Sequence, residues 1–268
     1  MTVQAVERDT RSLQSVIKSF DLIEALIERG EATASELAAL VGEPRSSVYR
    51  MLATLQQIEI VEAGSRRGLY RPGLGLVRLC GMVLTRFDER QLVMPVLDRL
   101  RAETKETVHL CLRRGYQAVF IERLPGEHMH TLAVKLGGVL PLHVGAAPRA
   151  LLAFEPDSFW DEYFAAVPLE PWTAKTPVSE AAVRELLHEV RRTGVSFSDE
   201  DVVNGVATVG APVFDHRGAV CAALAFNLLP DALHRDREAY VKLAGEASIE
   251  ASRAFGYDLA GNGLPLPS

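Results

Sequence analysis

The sequence predicts an α+β fold in two parts: a set of short helices comes first, and a domain built on a mainly antiparallel sheet follows. Apolar residues recur with a helical period over most of the first 57 residues. Strand patterns then occur in 107–135 and 210–227, with helical patterns before, between and after them. The 268 residues are 48% hydrophobic and 24% charged, a globular composition that is long enough for two domains.

Residues that typically begin or end helices predict the bounds of the first two helices. After a polar segment 1–10, which we expect to lie outside the helix, a helical period begins near Ser12 and stops at Gly30. Glycine commonly follows the last helical residue because it adopts left-handed backbone angles. Thr33 and Glu36 then have the spacing of a capping box, which predicts a short second helix.

The third helix is predicted to be a DNA-recognition helix. It follows the second helix after only Gly42 and Glu43, and it runs from Pro44, a residue tolerated in a first turn, to about Gln57. Its apolar side is formed by Val48, Met51, Leu52 and Leu55. Its other side suits a groove of DNA and carries Arg45, Ser46, Ser47, Tyr49 and Arg50.

A basic hairpin follows the third helix. Residues 61–63 and 69–71 are typical of short strands, and the turn between them carries Arg66 and Arg67. A helix-turn-helix pattern alone arises by chance in many helical proteins. The ordered set of three helices, capping box, tight turn and basic hairpin is far more specific, and it predicts a winged helix-turn-helix DNA-binding domain over residues 1–73.

The charge balance excludes a protein coated in positive charge. The net charge is −6, and residues 1–72 hold nine Lys and Arg against ten Asp and Glu. A polybasic membrane binder is therefore disfavoured, whereas a local DNA-binding face needs only a few well-placed arginines. The three cysteines have no paired spacing, and neither a signal core nor a membrane span is evident. We therefore expect a cytoplasmic protein without membrane partners.

The remaining chain is divided by its patterns. Residues 74–94 are predicted to form a linker helix, and Pro95 is predicted to begin the next element. The second domain is predicted to cover residues 95–258, followed by a flexible tail at 259–268. The predicted strands are 107–113, 117–124, 129–135, 210–215 and 219–227. The predicted helices are 96–104, 146–153, 157–166, 180–192 and 236–255.

Several motifs together resemble the IclR family of bacterial transcriptional regulators, over about 11–255. The matching segments are Arg11–Ser15, Pro44–Arg50, Glu106–His109, Leu140–His143, Ala150–Phe154, Gly205–Val206 and Ala211–Asp215. The resemblance implies an N-terminal winged helix, a linker helix and a C-terminal GAF-like effector-binding domain. It also implies homodimers or dimers of dimers that bind double-stranded operator DNA, and it adds Arg11 to the residues expected to contact DNA.

The resemblance further implies an effector site on one side of the sheet, for a small carboxylate or an aromatic catabolite. Free N–H groups of Ala146 and Ala147 at the start of a helix would suit an anion. The apolar wall would be Met129, Leu132 and Leu140. The remaining site residues would be Ser198 and Asp199 across the mouth, with Val206, Thr208, Ala225 and Asn227 on the later strands.

The chain departs from the family pattern at this site. Pro148–Arg149 stands where the family often has Gly-Lys, and Thr208 stands where it often has cysteine. Ala225 and Asn227 stand where it often has serines. The resemblance therefore does not identify a particular effector.

Other chemistry finds less support in the residues. His128 and His130 would share a face of a strand, as in a metal site, but an exposed pair near a turn explains them better. The segment 199–201 resembles an acid/base cluster, yet a solvated turn is expected. No nucleophile elbow or phosphate loop is recognised, so we predict no catalytic residues, no metal and no cofactor.

Two functions are left open. The first is a ligand-responsive regulator of a catabolic operon, without enzymatic activity. The second is an enzyme that processes a small molecule and carries an appended DNA-binding domain, which requires a catalytic constellation in residues 96–255.

Overall fold

The chain forms two compact units, one over Met1–Arg86 and the other over Phe87–Ser268. The computed structural model describes residues 3–84, 88–127 and 134–258, and it describes side chains over 14–82, 90–127 and 134–258. Within these ranges, no helix combines the length and the apolar character that crossing a membrane requires.

The first unit is helical with a small sheet. Its elements are α1 (Val3–Arg29), β1 (Ala32–Thr33), α2 (Ala34–Val41), α3 (Arg45–Gln57), β2 (Val61–Ala63), β3 (Leu69–Pro72) and α4 (Leu74–Leu84). The three strands pair antiparallel in the order β1-β3-β2. The inner sides of the helices and hairpin share one core, formed by Leu22, Leu26, Leu37, Val48, Leu52, Leu55, Ile60 and Val61 among others.

The winged helix-turn-helix pattern is confirmed, but α1 is longer than expected. It begins at Val3 rather than near Ser12. The prediction relied on apolar periodicity, which is absent before Leu13. Residues such as Gln4, Ala5 and Glu7 favour a helix through backbone propensity without adding an apolar stripe.

The second unit is built around a six-stranded antiparallel sheet in the order β6-β5-β4-β9-β8-β7. Its elements are α5 (Asp88–Thr104), β4 (Val108–Arg114), β5 (Gln117–Leu124), β6 (Val139–Pro141), α6 (Ala146–Ala153), α7 (Asp157–Ala166), α8 (Glu180–Thr193), β7 (Ser196–Asp199), β8 (Ala207–Phe214), β9 (Val220–Leu228), α9 (Pro230–Arg235) and α10 (Arg237–Ala254). The predicted α+β class is therefore confirmed.

Helices cover both faces of this sheet. On one face, α5 and α10 bury residues such as Leu97 and Ala247 against Leu110, Leu224 and Phe226. On the other face, α6, α7 and α8 surround a core of Leu151, Trp160, Tyr163, Val183 and Leu187 that packs on Cys111, Ala223 and Ala225. Because side chains alternate along a strand, each strand in the middle of the sheet supplies both cores.

The predicted boundary at Pro95 is wrong as an element boundary, because Pro95 lies inside α5. Proline removes one helical hydrogen bond, which normally ends or bends a helix. Here the flanking Val93, Val96 and Leu97 are almost fully buried against the sheet. Their burial offsets the lost bond. In place of the predicted helices over 74–94 and 96–104, the structure has α4 over Leu74–Leu84 and α5 over Asp88–Thr104.

The strand predicted at 129–135 is not found in its described part. Val134 and Lys135 are outside any strand, the rest of that range lies outside the described residues, and pairing to β5 is made by β6 instead. Four short elements, β1, β6, β7 and α9, were not predicted. Each has six residues or fewer, too few for a period to stand out.

Candidate functional site

The helix-turn-helix is held together by its caps. Thr33 accepts a hydrogen bond from the Glu36 backbone, and the Glu36 carboxylate accepts one from the Thr33 N–H at 2.8 Å. Gly42 ends α2 with a φ of 65°, a left-handed angle that suits glycine. The chain therefore turns at once into α3, and Val48, Leu52 and Leu55 anchor that helix on the core.

The opposite side of α3 is free of the core. Arg45, Ser46, Tyr49 and Arg50 are exposed, and Tyr49 keeps 53% of its surface accessible. Ser47 is half-buried, and its hydroxyl lies 3.5 Å from the Arg50 guanidinium. The structure thus brings all five predicted α3 residues to the outward side, where a groove of DNA can be reached.

The hairpin of β2 and β3 is fixed at its turn. Gly64 donates to the Leu69 carbonyl at 2.8 Å, and Ser65 donates to Glu31 through both its backbone and its hydroxyl, at 2.8 and 2.6 Å. These bonds, chiefly the one from the Ser65 hydroxyl, lower the pKa of Glu31. Arg66 and Arg67 stand exposed at the tip. The predicted Arg11 lies in α1, and its side chain is outside the described set.

A cavity opens between α6 and the sheet in the second unit. It has a volume of about 30 Å³. Its wall is made by His109, Phe120, Val134, Leu140, Gly145, Ala146, Ala147, Pro148, Val202, Val206, Thr208, Ala225 and Asn227. Seven residues predicted for the effector site therefore meet here: Leu140, Ala146, Ala147, Val206, Thr208, Ala225 and Asn227. Met129 and Leu132 lie outside the described residues, as do His128 and His130.

The N-terminus of α6 forms one end of this cavity. Gly145 precedes it with a φ of 90°, and no side chain caps it. The first two helical residues, Ala146 and Ala147, have N–H groups that precede the helical bonding pattern, and Pro148 has none. The helix lies directly on β8 at Gly210, where an added Cβ would come within 2.8 Å of the α6 backbone. These N–H groups and the helix dipole favour an anion at this end.

A buried ion pair holds α6 against the loop after β7. Arg149 donates to the Asp201 carboxylate and to the Phe197 carbonyl, and it also bonds the His143 carbonyl at 3.0 Å. Both charged side chains are at most 5% exposed. The same loop supplies Val202 to the cavity wall, so this pair positions two sides of the cavity at once.

The structure places Ser198 and Asp199 away from this cavity. The buried Ser198 hydroxyl donates to Asp201, and Asp199 faces a separate cleft beside Lys175 and His234, at 3.4 and 3.3 Å. The expectation that 199–201 forms a solvated turn is wrong for Asp201, which is 4% exposed. Burial of that carboxylate is possible because Arg149 compensates its charge.

The cavity wall contains a polar cluster of which the sequence predicted Thr208 and Asn227 but missed His109. His109 Nε2 lies 3.3 Å from Asn227 Nδ2, and Thr208 Oγ1 donates to Asn227 Oδ1 at 3.2 Å. His109 is 4% exposed, and burial, with a contribution from the Arg123 charge, lowers its pKa to about 4. Alternation along a strand puts His109 on the same face of β4 as Cys111. The sequence alone does not show that this face lines the cavity, because that depends on the pairing of β4 with β9.

Two buried histidines predict a pH-dependent stability. Burial lowers the pKa of His109 and of His143 to about 4, below the ordinary value of 6.5. The unfolded chain therefore binds more protons than the folded one between those values, so stability falls as the pH drops from 6.5 towards 4. We expect the free energy of unfolding to be lower at pH 5 than at pH 7 by about 4 kcal/mol, with about 2 kcal/mol from each histidine.

Urea unfolding can measure this difference in the second unit alone, because both tryptophans, Trp160 and Trp172, lie there. Replacing the exposed His216 by Ala serves as a matched control and should leave the difference unchanged. Equal stability at pH 7 and pH 5 would contradict the assignment of neutral, buried imidazoles.

Models of two protein domains match the chain. The IclR helix-turn-helix domain matches residues 15–64, and the bacterial transcriptional regulator IclR C-terminal domain matches residues 81–253. The regulator KipR of Bacillus subtilis (strain 168) is 28% identical over 245 residues, which cover 91% of this chain and 98% of KipR. The transcriptional repressor IclR of Escherichia coli (strain K12) is 28% identical over 221 residues, 81% of each chain.

Solved structures share the same architecture. The IclR structure from Thermotoga maritima has a TM-score of 0.76 and 28% identity, with 91% of this chain and all of the other covered. An IclR homologue from Microbacterium hydrocarbonoxydans, complexed with 4-hydroxybenzoate, has a TM-score of 0.79 and 22% identity, with 90% and 99% covered. The two domain matches together span most of the chain. The chain therefore belongs to the IclR family of transcriptional regulators.

Proposed function

We propose that this regulator binds operator DNA as a homodimer and that a small carboxylate bound under α6 changes its affinity for DNA. The observation that carries the proposal is the cavity at the uncapped N-terminus of α6, in the same chain as an outward-facing recognition helix. A catabolic operon, controlled in the cytoplasm, is the natural target of a sensor for a small organic acid.

Exposed arginines form the proposed DNA-binding surface. Arg45 and Arg50 project from the side of α3 that faces away from the core, where a guanidinium can bond a guanine edge in the major groove. Arg66 and Arg67 stand at the hairpin tip, suited to phosphate contacts. With a net charge of −6, one such set gives modest affinity, so two sets in a dimer are needed for tight binding.

The first unit also presents an apolar surface for a second copy. On α1, Val16, Ile17, Phe20 and Ile27 are each more than half exposed. On α4, Leu74 and Val77 are 72% and 67% exposed. Leaving such a helical surface in water is unfavourable, and a symmetric partner would cover it while placing two recognition helices on one operator.

The effector class follows from the cavity wall. Two backbone N–H groups at a helix start favour a carboxylate, whereas the remaining lining is apolar apart from His109, Thr208 and Asn227. Among the described lining residues there is no carboxylate or thiol, which supports binding rather than catalysis.

The cavity must change shape to hold an organic acid. A volume of about 30 Å³ holds about one or two water molecules, so a larger acid must displace residues of the cavity wall. That displacement gives the ligand different affinities for two conformations, as a switch requires. The 4-hydroxybenzoate bound by a distant homologue supports aromatic acids as first probes.

Gel shifts with DNA from upstream of the protein's own gene test the proposal. We expect retardation at low salt, a change in affinity when a binding acid from a panel of small carboxylates is added, and a dimer in sedimentation experiments. The proposal fails if no DNA fragment is retarded, or if acids that raise the melting temperature leave DNA affinity unchanged.

Arginine substitutions should separate base reading from phosphate contact. Arg45→Ala or Arg50→Ala should weaken operator binding by about 1–3 kcal/mol and relax sequence preference. Arg66→Ala or Arg67→Ala should weaken all sequences alike and reduce the salt dependence. Fluorescence anisotropy with operator and scrambled DNA at several salt concentrations distinguishes the two effects. The same behaviour in both pairs of variants would contradict this division.

A further inference from the structure

The strongest remaining feature is an unpaired nitrogen in the wall of the cavity. His109 lines the cavity and is 4% exposed, yet its Nδ1 atom has no hydrogen-bond partner among the residues that the structure describes. Buried polar groups are almost always paired, because burying one without a partner costs free energy. An unpaired group that lines a ligand cavity therefore indicates what the ligand supplies.

The neighbouring residues determine which nitrogen of His109 carries the proton. Thr208 Oγ1 donates to Asn227 Oδ1 at 3.2 Å, so the amide turns its Nδ2 group towards His109 Nε2, 3.3 Å away. A ring nitrogen that accepts a hydrogen bond carries no proton. Burial keeps the imidazole neutral, so its single proton resides on Nδ1. The unpaired group is therefore a donor.

The register of the sheet gives the distance between this donor and the anion end. Gly210 pairs with Ala225, and Ala225 pairs with His109, so the three lie in one row across β8, β9 and β4. The N-terminus of α6 rests on Gly210. Two strand spacings separate the ends of the row, about 10 Å between backbones. The His109 side chain spans part of this distance, and the ligand must span the rest. The ligand's carboxylate and its second polar group are therefore several bonds apart.

We propose that the cavity selects carboxylates that carry a second oxygen acceptor several bonds away, with the carboxylate at the start of α6 and the acceptor bonded to His109 Nδ1–H. This inference rests on the proposed function of the cavity and adds the second group to it. Thr208 and Asn227 act as positioning residues, because they hold the tautomer that makes His109 a donor. Asn227 stands where the family often has serine, so the hydrogen bond that fixes the His109 tautomer is a feature of this chain and not of the family in general.

Nuclear magnetic resonance tests the tautomer without any ligand. Two-bond proton–nitrogen correlations of the full-length protein distinguish the protonated from the unprotonated ring nitrogen, and spectra of His109→Phe assign the signal among seven histidines. We expect the proton on Nδ1. Thr208→Val removes the bond that orients the amide and should shift the population towards a proton on Nε2. A proton on Nε2 in the unsubstituted protein would overturn the proposal.

Matched acids test the second group. 4-Acetylbenzoate and 4-ethylbenzoate differ in a carbonyl oxygen, as do 5-oxohexanoate and hexanoate. By calorimetry with the full-length protein, we expect the ketone of each binding pair to bind about tenfold tighter. That advantage should vanish in His109→Phe and persist in part in His109→Gln, which keeps an N–H donor. Binding of both members with equal affinity would overturn this proposal and leave the carboxylate site standing. Failure of every acid to bind would overturn both.

Discussion

Replacement of Asp201 by alanine is expected to lower the free energy of unfolding of the second unit by about 3–5 kcal/mol. The carboxylate is 4% exposed and accepts bonds from Arg149 and Ser198. Its removal leaves the Arg149 guanidinium buried without a counter-charge, and such a charge costs far more than a lost surface pair. Urea unfolding followed by tryptophan fluorescence measures the change.

A neighbouring acid provides the control for this experiment. Asp199 lies two residues away but is about one-third exposed, and it pairs with Lys175, which is half exposed. Asp199→Ala should therefore cost about 1 kcal/mol or less. Removing both charges, as in Arg149→Met with Asp201→Leu, should cost less than Asp201→Ala alone, because no unpaired charge stays buried. Similar losses for Asp199→Ala and Asp201→Ala would refute the assignment of a buried pair.

Replacement of Gly210 by alanine is expected to destabilise the second unit by about 3 kcal/mol, at the upper end for overpacking. The added Cβ would lie 2.8 Å from both the Ala146 carbonyl carbon and the Ala147 nitrogen. These are backbone atoms that cannot rotate away, so α6 must shift as a whole. Because the shift displaces the N–H groups at the cavity, carboxylate binding should weaken together with stability.

Gly81→Ala is the matched control for that substitution. Gly81 lies in α4, and nothing lies within 4 Å of its added Cβ. Alanine favours a helix over glycine by about 1 kcal/mol, so this variant should be as stable as the original chain or more so. Calorimetric melting and titration with a binding acid measure both properties. Unchanged acid affinity in Gly210→Ala would contradict the close contact of α6 with the sheet as the basis of the site.

The sequence predicted the fold well where local signals are strong. The Thr33–Glu36 capping box, the turn at Gly42 and the helix that follows them all form as expected. Helices with clear starts, such as α6 and α7, have the predicted bounds. These features depend on residues within a few positions of each other, so an isolated sequence displays them.

The parts that could not be predicted depend on distant partners. The burial of Asp201 is explained only by Arg149, which lies 52 positions earlier in the chain. Likewise, His109 and Asn227 are 118 positions apart and meet only because β4 pairs with β9. Pro95 gave a misleading signal for the same reason, since tertiary burial of its neighbours outweighed its local preference.

The small residues beneath α6 have a consequence for inheritance. Where α6 meets the sheet, the row across β8 and β9 consists of Gly210 and Ala225, the two smallest residue types. A single base change converts an alanine codon into one for serine, threonine or valine, which at Ala225 adds a hydroxyl or extra methyl groups to the wall of the cavity. Under the proposed function, such a change is expected to alter which acid the cavity binds, while the recognition helix, which lies in the other unit, stays the same. The proposed function therefore implies that effector preference can change in evolution while the DNA-contacting residues are kept.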